Sequence, residues 1–374
     1  MKILLVGDYS NVHNTLSEGL KTLGHECVVA SSGDGWKNYP RDIDLRRELD
    51  RKGTLSFLCR LAKALPRMRG FDIVQLINPV FIELRAERIM PFYRYLRRHN
   101  GRIVLGAFGM DYYWAQVNTD VRPLRYSDFN IGNEVRYDEV AEHFRQDMIG
   151  TSKESLCKAI AGDCDAIVAG LYEYYATYDA VPTLRDKLSY IPFPIKMPEK
   201  SESVHIGIEN EDMDKGKVSL FIGLTPGRVS YKGTDILLAA AKSVQEQYPD
   251  KVKIKIAEGV PFDRYKVLME SSDALLDQIY SYTPSMNSLL AMSKGIIDIG
   301  GGEPECYNIL NETALQPIIN VQPNYESCRK AIEDFVLHPE RIPQLKRESV
   351  AFVEKHHEYR KVAKQYEELY AKLL

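Results

Sequence analysis

The chain has 374 residues, 44% apolar and 27% charged, with a net charge of −3; this is the make-up of a water-soluble globular protein long enough for two hydrophobic cores. That charge balance argues against general affinity for nucleic acid, and no apolar run approaches the roughly 20 residues that span a bilayer. The six cysteines form no CxxC pair and no His lies at metal-ligand spacing, so reduced thiols in a cytosolic protein are expected. Met1-Lys2 leads directly into ILLVG, too short for a secretory leader, and the expected location is cytoplasmic.

The charge is uneven. Residues 41 to 102 hold 15 Lys/Arg against 7 Asp/Glu, a local +8 that leaves the remainder at −11. The excess falls on TLSFLCRLAKALPRMR and RAERIMPFYRYLRR, where apolar and basic residues alternate. Such helices either lie on an anionic membrane surface or pack one face and solvate the other.

In chain order, Ile3 to Val6 is an apolar run closed by Gly7, suited to a strand buried on both faces. Leu16, Leu20 and Leu23 recur at helical spacing before a second strand at Cys27 to Ala30. The alternation continues with a helix near Leu55 to Met68, a strand at Asp72 to Leu76, a helix near Arg85 to Arg97 and a strand at Ile103 to Ala107. A helix near Ser152 to Ala161 and strands at Ala166 to Ala169 and Leu188 to Ile191 complete the first half. This is a doubly wound α/β domain with right-handed crossovers. Between them, Gly109 to Gly150 is too long for an ordinary connection and reads as an irregular loop. In it Asp111, beside Tyr112, Tyr113 and Trp114, suits stacking on sugar rings; the alternative is an insertion packed for stability.

A Pro-, Lys- and Glu-rich stretch follows and reads as a linker, part of it a candidate edge strand. The alternation then restarts: strand Ser219 to Gly223, helix Thr234 to Gln247, strand Lys253 to Ala257, helix Phe262 to Ser271, strand Ala274 to Leu276. A helix near Met286 to Ser293, a strand at Ile296 to Ile299 and a helix near Tyr325 to Leu337 come next. Two charged amphipathic helices close the chain from Pro343 to Leu374. The expected division is 1–195, a linker 196–216, a second Rossmann-like domain 217–345, and a helical tail 346–374 crossing back to the first domain.

The stretch VSLFIGLTPGRVSYKG, residues 218 to 233, runs a buried strand through Gly223 into a loop carrying Arg228 and Lys232, ahead of a helix. Two cations beside free helix-start amides suit a diphosphate. These features, with the charged linker and the helical tail, make the chain resemble the GT-B glycosyltransferases, two Rossmann-like domains facing a cleft. Within that fold it is most similar to the family-4 group of retaining, nucleotide-sugar-dependent enzymes. The resemblance implies that Arg228 and Lys232 bind the donor diphosphate, whose charge grows as it departs. In that group two Glu stand eight positions apart before Ala-Met and a Gly. Anchoring on Ala291-Met292 and Gly295 puts Tyr282 and Leu290 at those places, so the motif does not fix retention or inversion.

Other expected donor contacts are Ser285, Met286 and Asn287 at a helix start, Asp277 after a strand, Glu303 and Glu305 on GGGEPE, and Glu258 after the second strand of the second half. Glu303 or Glu305 either takes over a lost sugar or ribose contact or is a solvated acid on a turn. In the first half, Gly7 to Asn14 lacks G-x-G-x-x-G. The resemblance makes this turn, with Gly7 and His13, part of the substrate wall; otherwise His13 is a cap or surface residue. The expected catalytic set is therefore Arg228, Lys232, Asp111 and His13. The expected activity is hexose transfer from a nucleoside-diphosphate sugar to a hydroxyl of a glycan or lipid-linked saccharide, with no metal or other cofactor, since the cations do the charge work. A sugar-nucleotide epimerase of the same layout and a non-catalytic nucleotide-sugar-binding protein are the alternatives.

Overall fold

The computed structural model describes residues 1–47, 51–198 and 216–374. In chain order the strands are β1 (Lys2–Val6), β2 (Glu26–Ser31), β3 (Ile43–Asp44), β4 (Ile73–Leu76), β5 (Arg102–Ala107), β6 (Asn130–Ile131) and β7 (Glu134–Val135). They continue as β8 (Ala166–Ala169), β9 (Leu188–Tyr190), β10 (Val218–Leu224), β11 (Val252–Glu258), β12 (Ala274–Leu276), β13 (Ile297–Gly300) and β14 (Ile319–Asn320). The chain forms two compact units: Met1–Leu124 with His143–Pro194 and Glu358–Leu374, and Arg125–Glu142 with Ile195–His357.

In the first unit a parallel sheet runs β3-β2-β1-β4-β5-β8-β9. The apolar runs that predict its strands are its centre: Ile3, Leu4, Leu5 and Val6 are fully buried, since helices cover both faces of such a sheet. Strand order reverses between β1 and β4, which opens a crevice at their carboxyl ends. The second unit is a parallel sheet in the order β11-β10-β12-β13-β14, with its reversal between β10 and β12. Leu220, Ile222, Leu276 and Ile299 are the middle of its core. The fold class is thus the α/β, two-Rossmann arrangement expected from the alternation.

Three boundaries differ from expectation. The Gly109 to Gly150 stretch is not irregular: it holds the helices Tyr112–Asp120 and Glu139–Met148 and the β6-β7 hairpin. Its part 125–142 belongs to the second unit, tied there by side chains whose partners lie about a hundred or more positions away, and so invisible to local periodicity. The tail divides as well. Helix Ile342–His356 buries Phe352 and Val353 in the second unit, while helix Tyr359–Leu373 packs on helix Val12–Thr22 of the first. Residues 199–215, most of the expected linker and its candidate edge strand, lie outside the described residues.

The packing of helix Tyr359–Leu373 depends on Gly19. A Cβ there would stand 2.5 Å from the Tyr359 carbonyl oxygen and 2.7 Å from the Ala363 Cβ. Gly19→Ala is therefore expected to force the two helices apart and cost about 1–3 kcal/mol by overpacking. Thermal unfolding of the variant, with hydrogen exchange of the last helix as the local readout, checks it; an unchanged midpoint and unchanged protection would contradict the packing.

The basic helices are not free amphipathic surfaces. Helix Ala86–His99 buries Ile89, Phe92, Tyr93 and Leu96, and helix Arg51–Ala64 buries Phe57 and Leu61. Leu58 of the latter helix stays 41% exposed, while Arg97 and Arg102 pair with Asp165. Among the described residues no helix is long and apolar enough to cross a membrane. All six cysteines are free thiols.

Candidate functional site

In the second unit the loop after β10 lies on one side of the strand-order reversal. Gly223 must be glycine because a Cβ would come within 2.7 Å of the Tyr265 ring. A turn, with Arg228 N–H donating to the Thr225 carbonyl at 3.0 Å, leads into the one-turn helix Val229–Lys232. Gly233, with φ +70°, ends that helix and begins Thr234–Gln247, and any Cβ there would run into Ile279. Arg228 is exposed, with its guanidinium 5.1 Å from the Tyr231 ring centre. Lys232 is half-buried, and among the described residues its ammonium has no hydrogen-bond or ion-pair partner. The Ile279 N–H donates to the Lys232 carbonyl at 3.2 Å, joining this loop to the one after β12 across the reversal.

On the β12 side, Asp277 Oδ2 lies 2.8 Å from both Ser285 Oγ and Ser288 Oγ, and Ser288 Oγ lies 3.0 Å from Asp298 Oδ1. One hydroxyl proton cannot serve two carboxylates. Burial, reinforced by the nearby charge of Asp277, raises Asp298 well above the usual carboxylate range. Because the Ser285 hydroxyl is committed to Asp277, it does not cap helix Met286–Ser293. Met286 is half-buried in that first turn, and the Asn287 amide donates to Tyr265 Oη at 3.0 Å. Glu258 is exposed at the end of β11, opposite Leu224.

The two acids of GGGEPE are both engaged by Arg125, Glu303 buried and Glu305 half-buried. Glu303 is 3% exposed. It accepts hydrogen bonds from Tyr126 Oη at 2.6 Å, Asn320 Nδ2 at 3.1 Å and Gln322 Nε2, and pairs with Arg125 at 2.6 Å. Glu305 pairs with the same guanidinium. Tyr282, at the first family Glu position, is buried and its hydroxyl accepts from the Arg125 and Tyr126 amides at 2.7 and 3.3 Å. Leu290 is half-buried.

Sequence reasoning missed the segment that organises this side. Arg136 donates to the carbonyls of Ser230 at 2.6 Å and Tyr231 at 3.2 Å and stacks 3.7 Å from the Tyr280 ring centre. Asp138 accepts from Ser230 Oγ at 2.7 Å, and Asp128 from Tyr231 Oη at 2.6 Å. These bonds fix the helix that carries Lys232. The density of Arg, Tyr and Asp in RPLRYSDFN was the available signal.

The first-unit candidates sit differently from expectation. His13 is fully buried; its Nδ1–H donates to the Gly7 carbonyl at 2.7 Å, and Nε2 accepts from Gln75 Nε2 at 3.1 Å. Burial pushes its pKa down to about 3, so it is a neutral core histidine, neither a surface cap nor a substrate group. Gly7, with φ +80°, packs so closely on Ile77 that a Cβ would collide with it. Asp111 is also fully buried. It caps helix Tyr112–Asp120, accepting from the Trp114 N–H at 2.8 Å and Tyr178 Oη at 2.6 Å. Tyr113 packs on Tyr178 and Trp114 on Tyr174, with ring centres 5.1 and 4.9 Å apart. This cluster holds the unit together and offers no face to a sugar. A cavity of about 320 Å³ instead opens where β1, β2 and β4 end, beside Asp8, Asp34 and Glu83.

Each unit is thus a Rossmann-like parallel sheet with its own order reversal. No protein-family model matches the chain, and no curated protein matches it. Solved structures do. HepE of Anabaena, in complex with UDP-glucose, is 12% identical, with a TM-score of 0.58 and all of both chains covered. Sucrose-phosphate synthase of Thermosynechococcus elongatus is 12% identical with a TM-score of 0.60, covering 100% of this chain and 99% of that one. The catalytic domain of starch synthase IV from Arabidopsis thaliana, bound to ADP and acarbose, is 11% identical with a TM-score of 0.60 over the same shares. At such identities the shared property is the fold.

Proposed function

We propose that this protein is a glycosyltransferase moving a hexose from a nucleoside-diphosphate sugar to a hydroxyl of a glycan or lipid-linked saccharide. The observation that carries the reading is the placement of Arg228 and Lys232 at the reversal between β10 and β12, where open α/β sheets bind ligands. Similar folds bind UDP-glucose in HepE and ADP in starch synthase IV. Lys232 and Arg228 neutralise the departing diphosphate; the open amides at the start of helix Met286–Ser293 supply further donors. The reading places the protein in the cytoplasm, with any contact to the membrane peripheral and made through charged faces.

Purified protein supplied with uridine, guanosine and adenosine diphosphate sugars is the test. A diphosphate that binds only the folded state stabilises it by about 2.7 kcal/mol at a hundred times its Kd, so the right base is visible as a rise in thermal midpoint. Transfer with a donor of that base supports the proposal, and conversion of donor without acceptor identifies an epimerase. A second reading, a non-catalytic nucleotide-sugar-binding protein, is favoured by the internal commitment of Glu303, Glu305 and Tyr282. Binding without turnover across donors and acceptors would select it. The reading assigns no resident metal, so turnover is expected to survive exhaustive chelation; loss on chelation with recovery on adding a divalent cation would revise it.

A further inference from the structure

The cavity at the carboxyl ends of β1, β2 and β4 belongs entirely to the first unit. Its polar lining includes Asp8, Asp34, Glu83 and Lys153, and Leu45 and Phe81 lie on its apolar side. The charges do not cancel. Asp34 is paired with Lys37 at 2.7 Å, and Lys153 is paired with Asp147. That leaves two carboxylates. Glu83 is exposed and, among the described residues, makes no hydrogen bond or ion pair through its side chain. Asp8 is 3% exposed; its Oδ1 accepts from the His13 N–H at 2.9 Å, while its Oδ2 has no partner. A buried carboxylate oxygen without a donor is costly, and burial accordingly pushes Asp8 up to about 7, against the backbone bonds from His13 and Asn14, with Asp34 raising it and Lys37 lowering it. His13, packed beside it, stays neutral and adds no charge.

We propose that this cavity binds a hydroxyl-rich ligand bearing a protonated amine, whose ammonium gives Asp8 the donor the protein does not supply while its carbon skeleton rests on Leu45 and Phe81. An anionic ligand meets the Glu83 carboxylate and favours the protonated form of Asp8, and a neutral one leaves Glu83 unanswered. Taking the ligand for the sugar acceptor rests on the transferase reading; binding does not require it.

The test uses the full chain at pH 7 without any nucleotide. A β-1,4-linked glucosamine disaccharide and its N,N′-diacetylated counterpart are compared by titration calorimetry. The amine form is expected to bind about tenfold more tightly, the value of one charge-assisted hydrogen bond. Asp8→Asn is expected to abolish that preference, and Glu83→Gln, an exposed change that leaves folding unaffected, to reduce it severalfold. Equal binding of the two disaccharides, binding of neither, or a preference untouched by Glu83→Gln would overturn the proposal. Uridine, guanosine and adenosine diphosphates titrated into separate samples report on the second unit, so loss of one reading does not carry away the other.

Discussion

Lys232→Ala lowers sugar-donor turnover by about a hundredfold or more, the effect of removing one preorganised donor from a developing oxyanion, and leaves the fold intact. Both halves follow from one observation. Among the described residues its ammonium has no hydrogen-bond or ion-pair partner, so deletion strands no buried group. Alanine also suits the last position of a short helix, and a change of stability within about 0.5 kcal/mol is expected. Arg228→Ala is a less clean probe, because the guanidinium also packs on Tyr231. If Lys232 acts on charge that grows as the bond breaks, turnover falls more than diphosphate affinity does. Steady-state rates on the preferred donor, with thermal unfolding in parallel, decide it: unchanged turnover in a folded Lys232→Ala protein removes the diphosphate from this loop.

The elements legible in the sequence were those whose signal is local. Helices Thr234–Gln247, Met286–Ser293 and Tyr325–Leu337 and strand Ala274–Leu276 match their expected bounds, because apolar periodicity and flanking Gly, Ser or Asn define them within a few residues. The loop of Arg228 and Lys232 was legible too, since strand, glycines and cations lie in sixteen successive positions. Burial was not. His13 and Asp111 are polar residues in substrate-suited company, but Gln75 sits 62 positions from His13 and Tyr178 sits 67 from Asp111. Those partners turn both into core groups. Glu303 was misread for the same reason: Arg125 and Tyr126 lie 178 and 177 positions earlier, on a segment whose membership in the second unit no local pattern encodes. Asp8 carried no motif at all; only the cavity and its unpartnered oxygen single it out.

Glu303→Ala is expected to cost the protein about 1–3 kcal/mol, the penalty of leaving a buried hydrogen-bond donor unmet, since Arg125 is exposed and keeps Glu305 as its partner. The side chain is the common acceptor for Tyr126, Asn320 and Gln322 and one of two carboxylates on Arg125. Its removal leaves the buried Tyr126 hydroxyl and the half-buried Asn320 and Gln322 amides unmet, while Tyr282 still holds the 125–126 amides. Glu303→Gln keeps an acceptor in place, and Glu305 remains to answer Arg125, so its loss is smaller. The pH response separates the two effects. Burial alone raises Glu303, but the bonds from Tyr126, Asn320 and Gln322 and the charge of Arg125 outweigh it, holding the folded value below the ordinary 4.5. A carboxyl depressed on folding contributes stability that is complete above its unfolded value and is lost as pH falls through its folded one. Urea unfolding should therefore show wild type and Glu303→Gln separated at pH 7 and converging as pH falls below the ordinary carboxylate range. Because Lys232 lies on a helix fixed by other members of the 125–142 segment, Arg136, Asp138 and Asp128, Glu303→Gln should reduce stability with turnover largely retained. Equal stability of Glu303→Ala and wild type at pH 7 would show that Glu303 does not hold this segment in place.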